Sequence, residues 1–217
     1  MANQPTDFNP NDLVRGIDAS HFQGVIDWSQ VAASGIKFAI TKATEGTNVK
    51  DSQFSANYDG IKANGMIRGA YHFFHPSSDA QAQATNFLSS VNVLAPGDLP
   101  PALDVEVNDG QGASVIINGV QQWLQAVEAA LGRKPMIYTT ASFWNANLSG
   151  TGQFSDCPLW VAQYTFNPQP NIPQGFSNYA IWQFSEMGTI NGVSGKNNVD
   201  LDRFNGTEDD LRTLAGF

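Results

Sequence analysis

Two carboxylate residues in the segment ALDVEV are the strongest candidates for chemistry in this sequence. Asp104 and Glu106 lie two positions apart and alternate with leucine and valine. On a strand this spacing points both carboxyl groups to one face, with Cβ atoms about 6.6 Å apart. Paired carboxyl groups perform glycoside hydrolysis: one protonates the leaving oxygen and the other stabilises positive charge at the anomeric carbon. Solvated acids on an edge strand, or a divalent-metal site, remain alternatives for this motif.

Three further acidic residues lie on other segments with strand character. Asp18 lies in GIDAS, and Asp200 and Asp202 lie in VDLDRF. In barrels of parallel strands the active site forms at the C-terminal ends of the strands, so these acids and the ALDVEV pair should meet at one mouth. Asp200 and Asp202 share a face, so alternation does not separate them.

Aromatic residues on the same segments favour a sugar substrate. Flat rings beside polar groups suit the apolar faces of sugars. The candidates are Tyr71, Phe73, Tyr138, Trp160, Tyr164 and Trp182. Packing in the core is the alternative for these rings, and it is nearly as well supported for Phe73 and Trp182.

Other catalytic chemistries have little support. His72 and His75 are three apart and would face opposite sides of one strand, and no HExxH motif indicates zinc. Cys157 lacks an evident histidine partner, and no GxSxG motif indicates a serine hydrolase. Lys42 and Glu45 fit a local, structural ion pair. We therefore expect no metal and no cofactor.

The charge balance limits the partners. The chain has 217 residues, with 11 Lys and Arg against 20 Asp and Glu, a formal net charge of −9. Nucleic acid is therefore an unlikely partner, because phosphate binding needs a basic surface. We also expect no membrane span, since no apolar run approaches about 18 residues. The N-terminal residues lack the pattern of a signal peptide, so export would use another route or follow removal of the signal.

Short apolar runs alternate with helical patterns through the first two thirds of the chain. Strand-like segments cover residues 15–21, 37–43, 67–74, 100–107, 134–140, 158–164, 179–185 and 199–204. Helical patterns cover residues 27–34, 52–64, 78–92, 114–131 and 141–147. This alternation predicts a parallel sheet with right-handed crossovers, and the last third lacks helices between its strands. We expect a closed barrel rather than an open doubly wound sheet, because no Gly-rich phosphate loop follows the first strand.

Taken together, the segments resemble glycoside hydrolase family 25, the Chalaropsis-type lysozymes. The similar segments are GIDASHFQGVIDW, FAITKATEGT, RGAYHFF, ALDVEV, PMIYTT, LWVAQY, WQFSEMGTINGVSG and NVDLDRF. They span about residues 14–206, in the family's order. The resemblance implies a single α/β domain, an irregular TIM-like (β/α)5(β)3 barrel over residues 15–217, after an N-terminal arm at residues 1–14. It also implies a secreted lysozyme that cleaves the β-1,4 bond from N-acetylmuramic acid to N-acetylglucosamine in peptidoglycan. We expect a monomer.

The resemblance also implies roles for individual residues. Glu106 matches the catalytic acid, and Asp104 matches the partner that orients the 2-acetamido group of the sugar. Asp18 and Asp200 match acids that shape the pocket and help keep Glu106 protonated. The family often has Asn or another polar residue at the position of Asp202, so this chain offers a second acid there.

The family's substrate subsite includes two tyrosines, which Tyr71 and Tyr138 match. The expected spacing of the carboxyl groups exceeds the roughly 5–5.5 Å of enzymes with a carboxylate nucleophile, so inversion and substrate assistance both remain open on geometry. The resemblance favours substrate assistance with retention. A chitinase-like hydrolase and a non-catalytic glycan-binding barrel are the alternative functions.

Overall fold

The computed structural model describes residues 4–9, 14–148, 150–193 and 198–217. Its strands are β1 Arg15–Ala19, β2 Phe38–Glu45, β3 Val49–Lys50, β4 Ile67–Phe73, β5 Ala102–Asp104, β6 Met136–Thr140, β7 Leu159–Ala162, β8 Ile181–Gly188 and β9 Val199–Phe204. Its helices are α1 Trp28–Ala33, α2 Phe54–Ala63, α3 Ala80–Leu88, α4 Ala113–Leu131, α5 Ala141–Asn147 and α6 Glu208–Leu214.

Eight of these strands form a closed barrel. Their order is β1-β9-β8-β7-β6-β5-β4-β2, and the pairing of β1 with β2 closes the sheet. The short strand β3 only extends β2 as an antiparallel hairpin. The barrel confirms the predicted fold class: helices follow the early strands, and none lies among the described residues between β7 and β9.

The last strand departs from the predicted parallel sheet. β9 runs antiparallel to both β1 and β8. A parallel return needs a crossover of about a dozen residues or more, and the connection between β8 and β9 is shorter than that. The reversal places the start of β9, at Asp200, beside the end of β1, at Asp18.

Alternation along the strands divides the buried residues into a lumen and an outer layer. Phe38, Ile40 and Met136 are buried in one cluster that fills the lower lumen. A Cβ atom at Gly16 would lie 2.2 Å from the Phe38 ring, so only glycine leaves room for that ring. Residues with the opposite alternation, such as Leu103, pack outward against the helices. The apolar side chains of the lower lumen therefore close the polar upper lumen from below.

The longest helix illustrates why the sequence forms this outer layer. α4 has an apolar face that packs Val120, Trp123 and Val127 into the outer core, as the helical period predicts. The helix ends at Gly132, whose φ of 71° lies in the left-handed region that glycine adopts at no steric cost. No described helix is both long and apolar enough to cross a membrane.

The described part of the N-terminal arm lies against β8. Ser185 Oγ donates a hydrogen bond to the Pro5 carbonyl, and the Glu186 amide donates to Gln4 Oε1 at 3.1 Å. Phe8 packs against the Phe184 ring with centroids 5.5 Å apart. These contacts join residues 4–9 to the wall of the barrel.

Candidate active site

A cavity of about 330 Å³ opens where the parallel strands end. Its lining consists of Asp18, Phe22, Lys42, Tyr71, Phe73, Asp104, Glu106, Tyr138, Trp160, Tyr164, Gln183, Glu186 and Asp200. All four acids predicted as catalytic therefore meet here, together with five of the six aromatic candidates. The cavity combines acids with aromatic rings, as carbohydrate sites do.

The segment that contains the predicted catalytic pair is held by the neighbouring strand. Asp104 is the last residue of β5, and Glu106 lies just beyond the strand. The Val105 amide donates to the Tyr138 carbonyl at 2.9 Å, and Thr139 Oγ1 donates to the Val105 carbonyl at 2.8 Å. These two bonds fix the backbone between the carboxyl groups, although the sheet ladder has already ended.

Asp104 and Glu106 occupy different environments. Asp104 is 5% exposed, and no described residue offers a hydrogen-bond partner to its buried Oδ1. Burial raises the pKa of Asp104 well above its usual range, and the charge of Glu106 raises it further. Glu106 lies at the exposed rim. Partial loss of hydration raises the pKa of Glu106, while nearby Lys42 opposes the shift.

The opposite wall contains the acid cluster, which we define as Asp18, Asp200 and Asp202. Asp18 is paired with Asp200 across β1 and β9. Asp202 lies deeper, is fully buried, and accepts a hydrogen bond from Trp160 Nε1 at 2.8 Å. Strand alternation alone does not distinguish Asp200 from Asp202. Because β9 runs antiparallel to β1, Asp200 lies in the cavity lining and Asp202 lies deeper.

The acid cluster holds protons near neutral pH. Burial raises the pKa of Asp18 well above its usual range, with Asp202 as the next cause. Burial and the Asp18 charge raise the pKa of Asp200 to about 9, and burial raises that of Asp202 to about 8. Three carboxyl groups in contact cannot all ionise in a site of low polarity.

Gln183 connects this wall to two tyrosines. Its Nε2 donates to Asp18 Oδ2 at 2.7 Å, and its Oε1 accepts from the hydroxyl groups of Tyr138 at 2.8 Å and Tyr164 at 2.9 Å. Gln183 was not among the residues predicted from the sequence. The only indication in the sequence was its position on β8, where it directly follows Trp182. The side chains of Trp182 and Gln183 therefore face opposite sides of the strand.

Trp182 is a correction to the predicted substrate-binding set. Successive residues on a strand face opposite sides, so Gln183 in the lumen places Trp182 outside. The indole Nε1 donates to the Gln163 carbonyl at 2.9 Å, and the ring packs in the outer core beside Phe184. The other predicted rings surround the cavity, with Trp160 in edge contact with Tyr71 and Tyr138.

Of the remaining candidates, His72 and Cys157 are buried outside the cavity lining. His72 is buried between Thr44 and Gln83, and burial lowers its pKa to about 4. Burial raises the pKa of Cys157 to about 12, so its thiolate is scarce at neutral pH. Lys42 and Glu45 form the predicted ion pair. In the described part of the chain, no group of three or more His, Cys, Asp or Glu side chains, the acid cluster included, is arranged so that it could hold a metal ion.

Comparisons with known proteins agree with this geometry. The family model for glycosyl hydrolases family 25 matches residues 17–193. Lysozyme M1 of Streptomyces globisporus is 42% identical over 212 residues, which cover 93% of this chain and 71% of that protein. The N,O-diacetylmuramidase of Chalaropsis sp is 31% identical over 215 residues, 93% of this chain and 99% of that protein.

A solved structure gives the same result at the level of the fold. The crystal structure of the bacterial lysozyme from Streptomyces coelicolor superposes with a TM-score of 0.89 at 38% identity. The superposition covers 94% of this chain and 98% of the other. The family model, the relatives and the shared barrel together show that this chain belongs to glycosyl hydrolases family 25.

Proposed function

We propose that this chain is a muramidase that hydrolyses the β-1,4 bond between N-acetylmuramic acid and N-acetylglucosamine in bacterial peptidoglycan. The family and the names of its relatives support this substrate, and the acidic, ring-lined cavity supports a glycosidase. Peptidoglycan lies outside the cytoplasmic membrane, so the enzyme would act there, as a monomer.

Glu106 is the general acid in this proposal. A general acid must hold a proton near the working pH and reach the leaving oxygen. The raised pKa of Glu106 supports the first requirement, and its place at the rim of the cavity supports the second. Lys42, nearby, would stabilise the carboxylate that remains after the proton has been donated.

The unpartnered Oδ1 of Asp104 is the observation on which the mechanism rests. A buried acceptor without a donor costs roughly 1–3 kcal/mol, so a donor from the substrate would recover this cost. The N–H of a 2-acetamido group is such a donor. A hydrogen bond from that N–H to Asp104 would orient the acetamido oxygen and increase its electron density.

The reaction then needs no carboxylate nucleophile. The acetamido oxygen attacks the anomeric carbon as the glycosidic bond breaks, and Glu106 protonates the leaving oxygen. Water next attacks the anomeric carbon of the cyclic intermediate and gives one proton to the Glu106 carboxylate. The ring opens to regenerate the acetamido group, and two displacements retain the β configuration.

The acid cluster and its neighbours position the sugar. Asp18 is held by Gln183, which also holds the hydroxyl groups of Tyr138 and Tyr164. This network would hold the side chains opposite Asp104 in place and so set the width of the cavity. Because the cluster keeps its protons, it adds little negative charge, and the pKa of Glu106 is raised by burial instead.

The test is to offer purified cell walls and chitin oligomers and to analyse the products by mass spectrometry. We expect soluble muropeptides with N-acetylmuramic acid at the reducing end, and slow or undetectable cleavage of chitin oligomers. Preferential cleavage of chitin would indicate the chitinase-like alternative. Binding to walls without any product would indicate a glycan-binding barrel.

A further inference from the structure

His75 lies between two carboxylates beside the cavity. Its Nε2 is 3.1 Å from Glu45 Oε1, and its Nδ1 is 3.1 Å from Asp109 Oδ2. Ionised carboxylates only accept hydrogen bonds, so both contacts are satisfied only when both ring nitrogens carry hydrogen. This geometry selects the imidazolium form of His75.

The two carboxylates belong to different parts of the active site. Glu45 ends β2 and pairs with Lys42, whose side chain lines the cavity. Asp109 lies three residues after Glu106, in the loop between β5 and α4. The imidazolium therefore joins the strand that contributes the cation to the loop that contributes the general acid.

The loop needs such a restraint at Asp109. This residue has a φ of 47°, in the left-handed region that non-glycine residues rarely adopt. Besides His75, its carboxylate accepts a hydrogen bond from Ser77 Oγ at 3.0 Å. These contacts with the segment just after β4 hold the turn that follows Glu106.

We propose that protonated His75 is a positioning residue, which fixes the loop of Glu106 against β2 and releases it when the proton is lost. The proposal rests on the proposed role of Glu106 as the general acid. It adds a pH-sensitive latch, defined as His75 with Glu45 and Asp109, that supports that role from outside the cavity.

Loss of the proton opens the latch whichever nitrogen loses it. The deprotonated nitrogen would turn a lone pair toward a carboxylate, so one of the two contacts becomes repulsive. Each carboxylate keeps a second partner, Lys42 for Glu45 and Ser77 for Asp109. The two elements can therefore separate without leaving either charge unpartnered.

The direction of the pH effect follows from the surroundings of the ring. Burial lowers the pKa of His75, but the hydrogen bonds to Glu45 and Asp109 outweigh burial and raise it above the ordinary value. Other titratable groups among the described residues that interact with this site are Lys42 on β2, His72 on β4 and Asp104 on β5, which is near Glu45. His72 stays neutral near pH 7, because burial lowers its pKa. The latch is therefore complete below about pH 6.5 and opens as the pH rises through the raised pKa of His75.

Two variants test this latch. His75→Phe keeps a ring but removes both donors, and His75→Arg keeps a positive charge that does not titrate. Hydrogen exchange, corrected for the intrinsic effect of pH, is measured on peptides that cover residues 106–112. Lys134→Gln removes an exposed ion pair with Asp156 and is the matched control.

The expected result has three parts. Protection of residues 106–112 in the wild type falls with the same midpoint as the ring titration of His75 by NMR. Protection in His75→Phe is low at every pH, and kcat at pH 6 falls about tenfold with a small change in KM, because the general acid is misplaced. His75→Arg restores protection and removes its dependence on pH, and Lys134→Gln behaves as the wild type.

Two results would overturn the proposal. One is wild-type protection that does not change through the His75 titration. The other is a folded His75→Phe variant with a loosened segment but an unchanged kcat. Hydrogen exchange needs no turnover, so the latch can be tested even if the chain does not cleave peptidoglycan.

Discussion

The two walls of the cavity contain acids that differ in the hydrogen-bond partners of their carboxyl oxygens. On one wall, Asp104 has a buried oxygen without a described partner, and Glu106 lies at the rim near Lys42. On the other, Asp18 is bonded to Gln183 and Asp202 to Trp160, but Asp202 Oδ2 also lacks a described partner. We call the first wall incomplete because its unpartnered oxygen belongs to a residue that lines the cavity, whereas Asp202 lies outside the lining. From this contrast we infer that the first wall performs the proposed chemistry and that the second sets the shape of the site.

Replacement of the general acid should give the largest effect. Glu106→Gln keeps the size of the side chain but cannot donate a proton, so kcat should fall by roughly 10²–10⁴-fold. Thermal unfolding should be unchanged, because Glu106 is exposed. The matched variant on the other wall, Asp200→Asn, should retain far more activity. Wild-type turnover in a folded Glu106→Gln protein would contradict the contrast between the walls.

Asp104→Asn should give the next largest effect. Asp104 and Glu106 are near enough to oppose each other's ionisation, and a hydrogen bond from the acetamido N–H would favour the charge on Asp104. Asn cannot carry this charge, so kcat should fall by about 10²-fold, with a smaller change in KM. The wild type should strongly prefer N-acetylated over de-N-acetylated muramyl substrate, and Asp104→Asn should lose most of that preference. Equal preference in the two proteins, measured by steady-state kinetics, would show that Asp104 does not act through the acetamido group.

Asp202→Asn should change stability more than activity. Burial raises the pKa of Asp202 to about 8, so folding above the unfolded pKa of about 3.9 requires proton uptake, and the stability falls as the pH rises toward 8. Asn is neutral at every pH and can still accept from Trp160. Denaturation at pH 7.5 should show added stability of up to about 5 kcal/mol, which disappears near pH 4. Destabilisation at both pH values would mean that Asp202 is ionised in the folded protein.

Removal of metal should have the smallest effect. Carboxyl groups perform the proposed chemistry, so activity on cell walls should be unchanged after dialysis against excess EDTA. If activity is lost and returns with zinc or calcium, Asp104 and Glu106 would be metal ligands, and the incomplete wall would have a different explanation.

The sequence predicted the barrel and its acids because strand alternation and strand-end position are local properties. The D-x-E spacing placed Asp104 and Glu106 on one face before any contact was known. Alternation does not say which face is the lumen, however, and for this reason Trp182 was placed inside and Gln183 was missed.

Other features depended on contacts between distant segments. The antiparallel direction of β9, which separates Asp200 from Asp202, follows from the short connection to β8. Phe22 lies in a turn after β1, where no periodic pattern marks a lining residue. The bridge from His75 to Asp109 spans 34 positions, so spacing along the chain could not reveal it.

The most direct test of the incomplete wall is the configuration of the first product. Proton NMR of a cleavage reaction, recorded before mutarotation, shows which anomer forms at the new reducing end. We predict the β anomer, because the acetamido oxygen held by Asp104 attacks first and water attacks second. An initial α anomer would contradict this account, since Asp104 would then act as the base for a single attack by water.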